Sequence, residues 1–273
     1  MQELKDKVAI VTGATRKRGL GRAIALTLAR AGAHVVVTGN SRSSSQIPED
    51  ESISGWRGLP DVVAEIESCG VRGLSVLADI TQTEEAQRIV VDTVARFGRI
   101  DILVNNATYP PRPDDRVPVI ELDETKWRQI VDVNLTGTMI VSKYVARQMV
   151  TQGQGGSIVS ISSGAALKAV ASFSAYAASK AAVHALNSSM AEELGPHGIT
   201  CNVVAPGFLD TARIDKLRTE GRWEKRLASI PIKRAGTVEE VAQMVCFLCG
   251  PHARWISGEA ILINGGEVRR AAR

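Results

Sequence analysis

Short apolar runs alternate with amphipathic segments along almost the whole chain. The runs are apolar at nearly every position and rich in β-branched residues, which is typical of strands covered on both faces of a parallel sheet. The predicted strands lie in VAIVT at Val8, HVVVT at His34, GLSVLAD, IDILVNNA, SIVSIS, ITCNVVAP and AILINGG. The predicted helices cover VVAEIESCG and residues 21–31, 84–97, 126–149, 175–194 and 238–248. We therefore expect an α/β fold, a doubly wound parallel sheet with helices on both faces.

Three stretches interrupt this alternation. Residues 41–60 are polar and rich in Ser, Gly and Pro, so we expect a loop insertion after the second strand. Residues 108–123 form a proline-broken segment after the fourth strand, and residues 207–232 mix helical patterns with breakers. Ligands of parallel sheets bind beyond the carboxyl ends of strands, so the last two stretches are candidate substrate loops.

Composition and charge narrow the function classes. The 273 residues, 44% apolar and 23% charged, fit one globular domain with a full core. The apolar runs are far shorter than the roughly 20 residues of a membrane span, and MQELKDK leads into the first strand without an apolar signal region. We expect a cytoplasmic protein with no membrane partner. The net charge of +4 comes from scattered basic residues, so we expect no nucleic-acid partner.

Cys246 and Cys249, followed by His252, have the spacing of half a zinc site. A closed site needs four ligands, and the sequence has no second such pair. The segment VAQMVCFLCG has an apolar helical pattern, so two buried helix cysteines are the better interpretation. We expect no metal.

The first predicted strand runs through TGATRKRGLG directly into a helix. Glycines at a strand-to-helix turn let the backbone approach a pyrophosphate, and the helix N-terminus favours its negative charge. About 20 residues further on, an Asp or Glu usually holds a cofactor that lacks a 2′-phosphate. This chain has Asn40 and Arg42 there, and Arg16, Lys17 and Arg18 in the loop. We therefore expect NADP(H) to be preferred over NAD(H).

Tyr176 and Lys180 are four residues apart, so they share one face of a predicted helix. A nearby cation favours the phenolate form of a tyrosine, which otherwise ionises near pH 10. The pair Ser162-Ser163 follows a predicted strand, and a serine hydroxyl there could hold a substrate oxygen while Tyr176 moves a proton. This pattern indicates a proton-relay site.

With these motifs, the chain resembles the short-chain dehydrogenase/reductase family, and in particular its 3-oxoacyl-carrier-protein reductases. The resemblance covers about residues 7–266 and follows ordered motifs: TGATRKRGLG, LADIT, NNA, VNLTG, ISSG, YAASK, PGFLDT and ISGEAILINGG. It implies that the catalytic residues are Asn134, Ser163, Tyr176 and Lys180. Ser163 is chosen over Ser162 because the family's spacing in sequence between this serine and the tyrosine selects it. The resemblance also implies a Rossmann-type fold in which residues 1–273 form one dinucleotide-binding and catalytic domain.

The phosphate loop and the resemblance together imply a set of cofactor-binding residues at the carboxyl ends of the strands. They are Gly13, Thr15, Arg16, Arg18, Gly19, Leu20, Gly21, Asn40, Arg42, Asp79, Ile80, Asn105, Ala107, Tyr176, Lys180, Pro206, Gly207 and Thr211. Asp79 is expected at the adenine and Asn105 beside the adenosine ribose. Alternatively, Asp79 caps a turn before the next helix, and Asn105 is a hydrogen-bonded amide at the end of a strand.

Three features depart from the family pattern. Five residues separate Gly13 from Gly19, where the family usually has three, so the loop must bulge. Thr108 follows NNA in place of the common glycine, which we expect to narrow the space near the cofactor. The insertion at 41–60 is longer than typical, and we expect it to fold over the adenosine end and slow cofactor release.

The resulting prediction is an NADPH-dependent oxidoreductase that reduces a ketone or 3-oxoacyl carbonyl to a secondary alcohol, reversibly. One alternative is a catalytically idle dinucleotide-binding sensor or scaffold, although the chain retains all four catalytic residues. Another is an NAD-dependent alcohol or sugar dehydrogenase. The partner is a small-molecule carbonyl or alcohol, and by analogy with the family we expect a homotetramer or homodimer.

Overall fold

The computed structural model describes residues 2–40, 49–109, 115–168, 170–219 and 221–267. Its centre is a sheet of seven parallel strands formed by the short apolar runs of the sequence. The strands are β1 (Val8–Val11), β2 (His34–Gly39), β3 (Gly73–Leu77), β4 (Ile102–Asn105), β5 (Gly156–Ile161), β6 (Ile199–Pro206) and β7 (Ala260–Ile263). The predicted parallel sheet is confirmed.

The strand order is β3-β2-β1-β4-β5-β6-β7. The chain winds outward from β1 to β3 on one side and from β4 to β7 on the other, so its direction reverses between β1 and β4. At this junction Ile10 pairs with Val36 of β2 and with Leu103 of β4. Ligands of open parallel sheets bind beyond the carboxyl ends of the strands at such a reversal.

Helices cover both faces of the sheet. They are α1 (Leu20–Arg30), α2 (Glu49–Ile53), α3 (Leu59–Ser68), α4 (Thr83–Phe97), α5 (Glu124–Val131), α6 (Gly137–Gln152), α7 (Ser174–Leu194), α8 (Asp215–Thr219), α9 (Trp223–Ala228) and α10 (Val238–Cys249). One apolar cluster joins the sheet to α1, α3 and α10, and a second joins it to α4, α6 and α7. The predicted doubly wound, Rossmann-type fold is confirmed.

The two clusters explain why a strand such as β1 is apolar at every position. In β1, Ala9 and Val11 point into one cluster and Ile10 into the other, and all three are fully buried. Successive side chains of a strand point to opposite faces, so a sheet with two covered faces has no polar side. Burying one such aliphatic side chain contributes about 1.5–3 kcal/mol relative to leaving it exposed.

One helix end and one helix junction have clear local causes or consequences. α7 ends at Leu194, immediately before Gly195-Pro196, as the Gly-then-Pro pattern predicts. α5 continues into α6 through one wide π-helical turn, Asp132–Thr136, which carries Asn134. Such turns occur mostly as single insertions in α-helices and often at functional sites.

The insertion differs in part from the prediction of a loop over residues 41–60. Residues 41–48 lie outside the described part of the chain, but Glu49–Ile53 is helical and α3 already begins at Leu59. The segment EDESI forms a short helix that was not predicted, because the Ser- and Pro-rich residues around it favour a loop. The segment 207–232 contains two short helices, α8 and α9, as its mixed pattern predicts.

The four cysteines are free thiols. Burial raises the pKa of Cys249 far above its ordinary value and that of Cys201 to about 12, which favours the inert thiol form. Among the described residues, no three His, Cys, Asp or Glu side chains are grouped closely enough to hold a metal ion. Of the helices described, none combines the length and apolar character needed to cross a membrane.

Candidate active site

The phosphate loop connects the end of β1 to the start of α1 at the reversal of the sheet. α1 begins at Leu20; within the described chain, no side chain caps this end and its first turn holds no acidic residue. The first N–H groups of a helix have no partner within the helix and carry a partial positive charge. This end of α1 therefore fits the pyrophosphate of a dinucleotide.

Two glycines of the loop are required by close packing. Gly13 has a positive φ of 71°, and a Cβ there would lie 2.6 Å from the Cα of Ala107. A Cβ on Gly21 would lie 2.5 Å from the Asn106 amide nitrogen. These predicted cofactor residues bring the loop after β1 against the loop after β4, which is a packing role in addition to any approach to phosphate.

Asn106, which was not among the predicted site residues, locks these two loops together. Its Nδ2 donates to the carbonyl oxygens of Thr12 and Gly13, both at 2.9 Å. The Thr12 hydroxyl in turn accepts from the main-chain N–H groups of Asn106 and Ala107, each at 3.0 Å. In the sequence, the position of Asn106 as the second asparagine of the NNA motif was the one indication of this structural role.

The bulge predicted from the long glycine spacing is held by the insertion. Glu51 of α2, only 1% exposed, accepts a hydrogen bond from the main-chain N–H of Lys17 at 2.8 Å. The indole of Trp56 donates to the carbonyl of Thr15 at 3.0 Å, and Arg22 donates to the carbonyl of Lys17 at 3.2 Å. Hydrogen bonds between the loop main chain and the side chains of Glu51 and Trp56 therefore fix the loop to the insertion.

Arg18 is engaged by carboxylates. It donates two hydrogen bonds to Asp215, at 2.7 and 3.0 Å, and lies 3.7 Å from Asp210. The hydrogen bonds to Asp215 raise the pKa of the Arg18 guanidinium above its ordinary value. The sequence assigned Arg18 to the nucleotide phosphate, whereas in this structure its donors point to the segment after β6. Arg42 lies outside the described residues.

The remaining predicted residues of the adenosine end lie around the ends of β2 and β3. Asn40 is exposed just after β2, Thr15 packs against Gly39, and Gly19 packs against Arg16. Asp79 accepts from both the N–H and the hydroxyl of Thr81, at 2.9 and 2.7 Å, so it forms the turn cap that was its alternative reading. Ile80 is buried against Gly137.

Asn105 turns its side chain into the protein. Its Nδ2 donates to the hydroxyls of Ser142, at 2.8 Å, and Ser160, at 3.3 Å, and the residue is 4% exposed. This matches its alternative reading, a hydrogen-bonded strand-end amide.

Lys180 and Tyr176 lie on consecutive turns of α7 beside the end of β5. The Lys180 ammonium is buried, donates to the carbonyl of Ile161 at 2.9 Å and lies 6.0 Å from the centroid of the Tyr176 ring. The Phe173 ring packs against the Tyr176 ring, with centroids 4.7 Å apart. Ser163 follows β5 by two residues, and its hydroxyl accepts from Ala165 N–H at 3.2 Å. A buried ammonium near a phenol favours the phenolate.

Asn134 is fully buried in the π-helical turn. Its Oδ1 accepts from the Thr108 hydroxyl at 2.9 Å and from Tyr109 N–H at 2.8 Å. Its Nδ2 donates to Ser179, whose hydroxyl donates to the carbonyl of Tyr176 at 2.9 Å. Thr108, the departure from the family glycine, thus orients the Asn134 amide.

Pro206, Gly207 and Thr211 lie at the end of β6. A Cβ on Gly207 would lie 2.7 Å from the Cβ of Asn264, and its N–H donates to the carbonyl of Ile263 at 2.8 Å. Thr211 precedes the short helix Ala212–Ile214. The three residues are therefore placed at the same edge of the sheet as Ser163.

The chain is similar to known oxidoreductases over nearly its full length. Residues 13–267 match a protein family described as enoyl-(acyl carrier protein) reductase, adh_short_C2. The short chain dehydrogenase/reductase astE of Aspergillus oryzae is 38% identical over 96% of this chain and 95% of its own. The 3-oxoacyl-[acyl-carrier-protein] reductase FabG of Vibrio cholerae is 36% identical over 96% of this chain and 98% of its own.

Solved structures agree with the sequence relatives. A putative short-chain alcohol dehydrogenase from Sinorhizobium meliloti 1021 superposes with a TM-score of 0.85, at 31% identity over 97% of this chain and 98% of that one. The chain belongs to the short-chain dehydrogenase/reductase family and is an NAD(P)-dependent oxidoreductase.

Proposed function

We propose that this enzyme is an NADPH-dependent reductase that converts a ketone or 3-oxoacyl carbonyl into a secondary alcohol, and that the reaction is reversible. The observation that carries this proposal is the placement of Tyr176. A buried ammonium, Lys180, lies 6.0 Å from its ring, and Ser163 follows the neighbouring strand end. A phenol beside a buried ammonium, and a hydroxyl two residues past the neighbouring strand, support proton transfer to a carbonyl oxygen at the carboxyl edge of the sheet.

The roles of the side chains follow from their chemistry. A nicotinamide nucleotide, when bound, supplies the hydride or accepts it. The Ser163 hydroxyl holds the substrate oxygen, and Tyr176 delivers a proton to that oxygen as it becomes negative. Lys180 favours the phenolate that remains, because its charge is buried and opposite in sign. Asn134 fixes the start of α7 through Ser179.

The preference for NADPH is supported by the end of β2. Asn40 is exposed where a carboxylate would repel a 2′-phosphate, and the neighbouring loop contributes Arg16 and Lys17. The other nucleotide contacts are proposed for the first turn of α1 and for the ends of the strands described above. We infer that Arg18 is not a phosphate ligand while Asp215 holds it.

An NAD-dependent alcohol or sugar dehydrogenase is the second candidate, because two observations favour it. Arg18 is neutralised by Asp215 and Asp210, and the buried Glu51 carboxylate lies at the phosphate loop. Both reduce the positive potential available to a 2′-phosphate.

The substrate loop suggests a partly apolar ligand. Phe208 and Trp223 pack against each other after β6, with ring centroids 5.6 Å apart. Arg226 lies over the first ring at 4.7 Å and Arg218 over the second at 4.2 Å. These rings offer aromatic surface next to the end of β6, which suits a ketone with an apolar substituent.

We also propose that the chain acts as one dinucleotide-binding and catalytic domain and assembles into a homodimer or homotetramer. Support for assembly comes from large apolar side chains on the outside of the described fold. They include Trp255, 99% exposed, and Ile120, 89% exposed. Packing against a second copy of the chain would remove these side chains from water.

The test is NADPH oxidation by the purified enzyme with acyl thioesters, ketones, quinones and keto-sugars, repeated with NADH. Tyr176→Phe should lower turnover about 10²- to 10⁴-fold, because it removes the proton donor, and should leave nucleotide affinity unchanged. Tyr144→Phe, a tyrosine on α6 flanked by Lys143 and Arg147, is the matched control and should keep full activity. Retained turnover in Tyr176→Phe would exclude the proposed proton donor. A clear preference for NADH would favour the second candidate.

A further inference from the structure

One face of α7 carries three polar side chains that bind the two strands beneath it. Lys180, His184 and Asn187 are four and three residues apart, so they lie one above the other on the same side of the helix. Lys180 donates to the Ile161 carbonyl of β5 at 2.9 Å, and Asn187 donates to a carbonyl of β6 at 3.0 Å. His184 lies between them, and its Nε2 is 2.8 Å from the hydroxyl of Ser162.

The hydrogen of the Ser162 hydroxyl has a defined position. Its Oγ is 2.9 Å from the main-chain carbonyl oxygen of Lys180 and 2.8 Å from Nε2 of His184. A carbonyl can only accept a hydrogen bond, and a hydroxyl has one hydrogen to give. The hydroxyl therefore donates to Lys180, and His184 must donate its Nε2–H to the hydroxyl. The hydrogen bonds run from His184 through Ser162 to the Lys180 main chain.

This arrangement holds geometry and does not conduct protons. It ends at a main-chain carbonyl, which cannot pass a proton on toward Tyr176. Ser162 is 4% exposed, and its own N–H donates to the Val204 carbonyl of β6 at 2.8 Å. The hydroxyl is thus fixed to the sheet, and the imidazole fixes α7 to the hydroxyl.

We infer that His184 is a positioning residue, which sets the place of the Tyr176–Lys180 turn of α7 relative to Ser163. Ser162 is the covalent neighbour of Ser163, and the other end of the hydrogen-bond chain is the main chain of Lys180. This inference rests on the proposed function, because it concerns the groups that would move the proton. Misplacing catalytic groups by about 1 Å can cost about 10²-fold in rate.

Four variants test the inference by steady-state kinetics. His184→Leu removes the donor and should lower kcat about 5- to 10-fold, the equivalent of one buried hydrogen bond, with the KM for nucleotide unchanged. His184→Gln places an amide Nε2–H near the imidazole Nε2 and should restore most of the loss. Ser162→Ala should resemble His184→Leu, and the double variant should be no slower than the slower single variant.

Ser188→Ala is the matched control, since its exposed hydroxyl donates to the carbonyl of His184 on the same helix and does not touch Ser162. It should keep the kcat of the wild type. A His184→Leu enzyme with unchanged kcat would overturn the inference. The inference would also be overturned if His184→Gln did not restore kcat and if the losses in His184→Leu and Ser162→Ala were additive. Either result would indicate general destabilisation of the fold.

A readout without turnover separates this inference from the proposed function. The chain has four histidines, so nitrogen-15 spectra of the imidazoles can be assigned with single His→Gln variants. His184 should show the Nε2–H tautomer in the wild type, and its signals should shift in Ser162→Ala. An Nδ1–H tautomer would overturn the inference. If Tyr176→Phe stays active while the tautomer is as expected, only the proposed function fails.

Discussion

The guanidinium of Arg18 donates two hydrogen bonds to the carboxylate of Asp215, 197 residues later in the chain, at 2.7 and 3.0 Å. Asp210 lies 3.7 Å from Arg18 and is bound by Arg218 at 2.7 Å. Arg18 belongs to the phosphate loop, whereas both aspartates follow β6. The cluster therefore joins the loop between β1 and α1 to the segment after β6.

Asp215→Asn should tighten the binding of NADPH about 3- to 10-fold relative to NADH. The change removes a negative charge, so Arg18 becomes available for a charge-assisted hydrogen bond to the 2′-phosphate. The partners are 39% and 42% exposed, so the free energy of unfolding should change by less than about 1 kcal/mol. Fluorescence titration with each nucleotide measures the ratio. Glu259→Gln removes one exposed charge just before β7 and is the control. Equal changes for both nucleotides would contradict the prediction.

Glu51→Ala should weaken the binding of NADPH and NADH alike, by about 5- to 10-fold, because the main-chain N–H of Lys17 loses a buried, charged acceptor. The bulge of the phosphate loop is then no longer fixed to α2. Stopped-flow measurement of nucleotide release should show a faster dissociation rate. Ser54→Ala breaks a hydrogen bond inside the same insertion, to the Asp50 carbonyl, and should leave that rate unchanged. An unchanged rate in Glu51→Ala would mean that the insertion does not support the loop.

Thr108→Val should lower kcat about 2- to 5-fold with little change in nucleotide affinity. Valine has nearly the shape of threonine but lacks the hydroxyl that donates to Asn134 Oδ1 at 2.9 Å, so one of two donors to that oxygen is lost. Steady-state kinetics with saturating nucleotide measure the effect. Thr108→Ser keeps the hydroxyl and should retain the wild-type kcat. If serine and valine variants lose activity equally, the methyl group matters and the hydrogen bond does not.

Asp101 should make the stability of the fold depend on pH. Burial alone would raise the pKa of this carboxyl, but hydrogen bonds from Arg99, the Val8 main chain and Lys7 outweigh burial and hold it below the ordinary value. A lowered folded-state pKa stabilises the protein above the unfolded-state pKa of about 3.9, and this contribution is lost as the pH falls through the folded value. Asp101→Asn should therefore cost about 2 kcal/mol at pH 7 and progressively less below pH 4.

Urea unfolding of wild type and Asp101→Asn at several pH values between 7 and 3 tests this. The difference in free energy of unfolding should shrink toward the acid end, because the wild type alone loses the carboxylate. A constant difference across the range would show that Asp101 contributes through its shape and not through its charge.

The fold could be predicted from the sequence because its signals are local. A strand such as β1 is apolar at every position and is bounded by turn and bend residues, so a parallel sheet covered on both faces follows from a few residues at a time. Likewise, the four-residue spacing of Tyr176 and Lys180 places them on one helix face without knowledge of the rest of the chain.

The parts of the site that the sequence did not predict depend on distant partners. From the sequence, Arg18 is interpreted as a cation available to a phosphate, but in the fold Asp215 binds it. Glu51 is interpreted as part of a polar loop, but in the fold it accepts a hydrogen bond from Lys17. The side-chain partners of Asn105, the hydroxyls of Ser142 and Ser160, also come from other segments of the chain. Each of these contacts joins segments that no local pattern connects.

The long spacer between Gly13 and Gly19 has a practical consequence for protein engineering. It is anchored by Glu51 and Trp56 on one side and by Asp215 on the other. Grafting the spacer alone into a relative with the shorter loop would leave the Lys17 N–H and the Arg18 guanidinium without these acceptors, and the Thr15 carbonyl without its donor. A successful transplant would have to carry the insertion and the segment after β6 along with it.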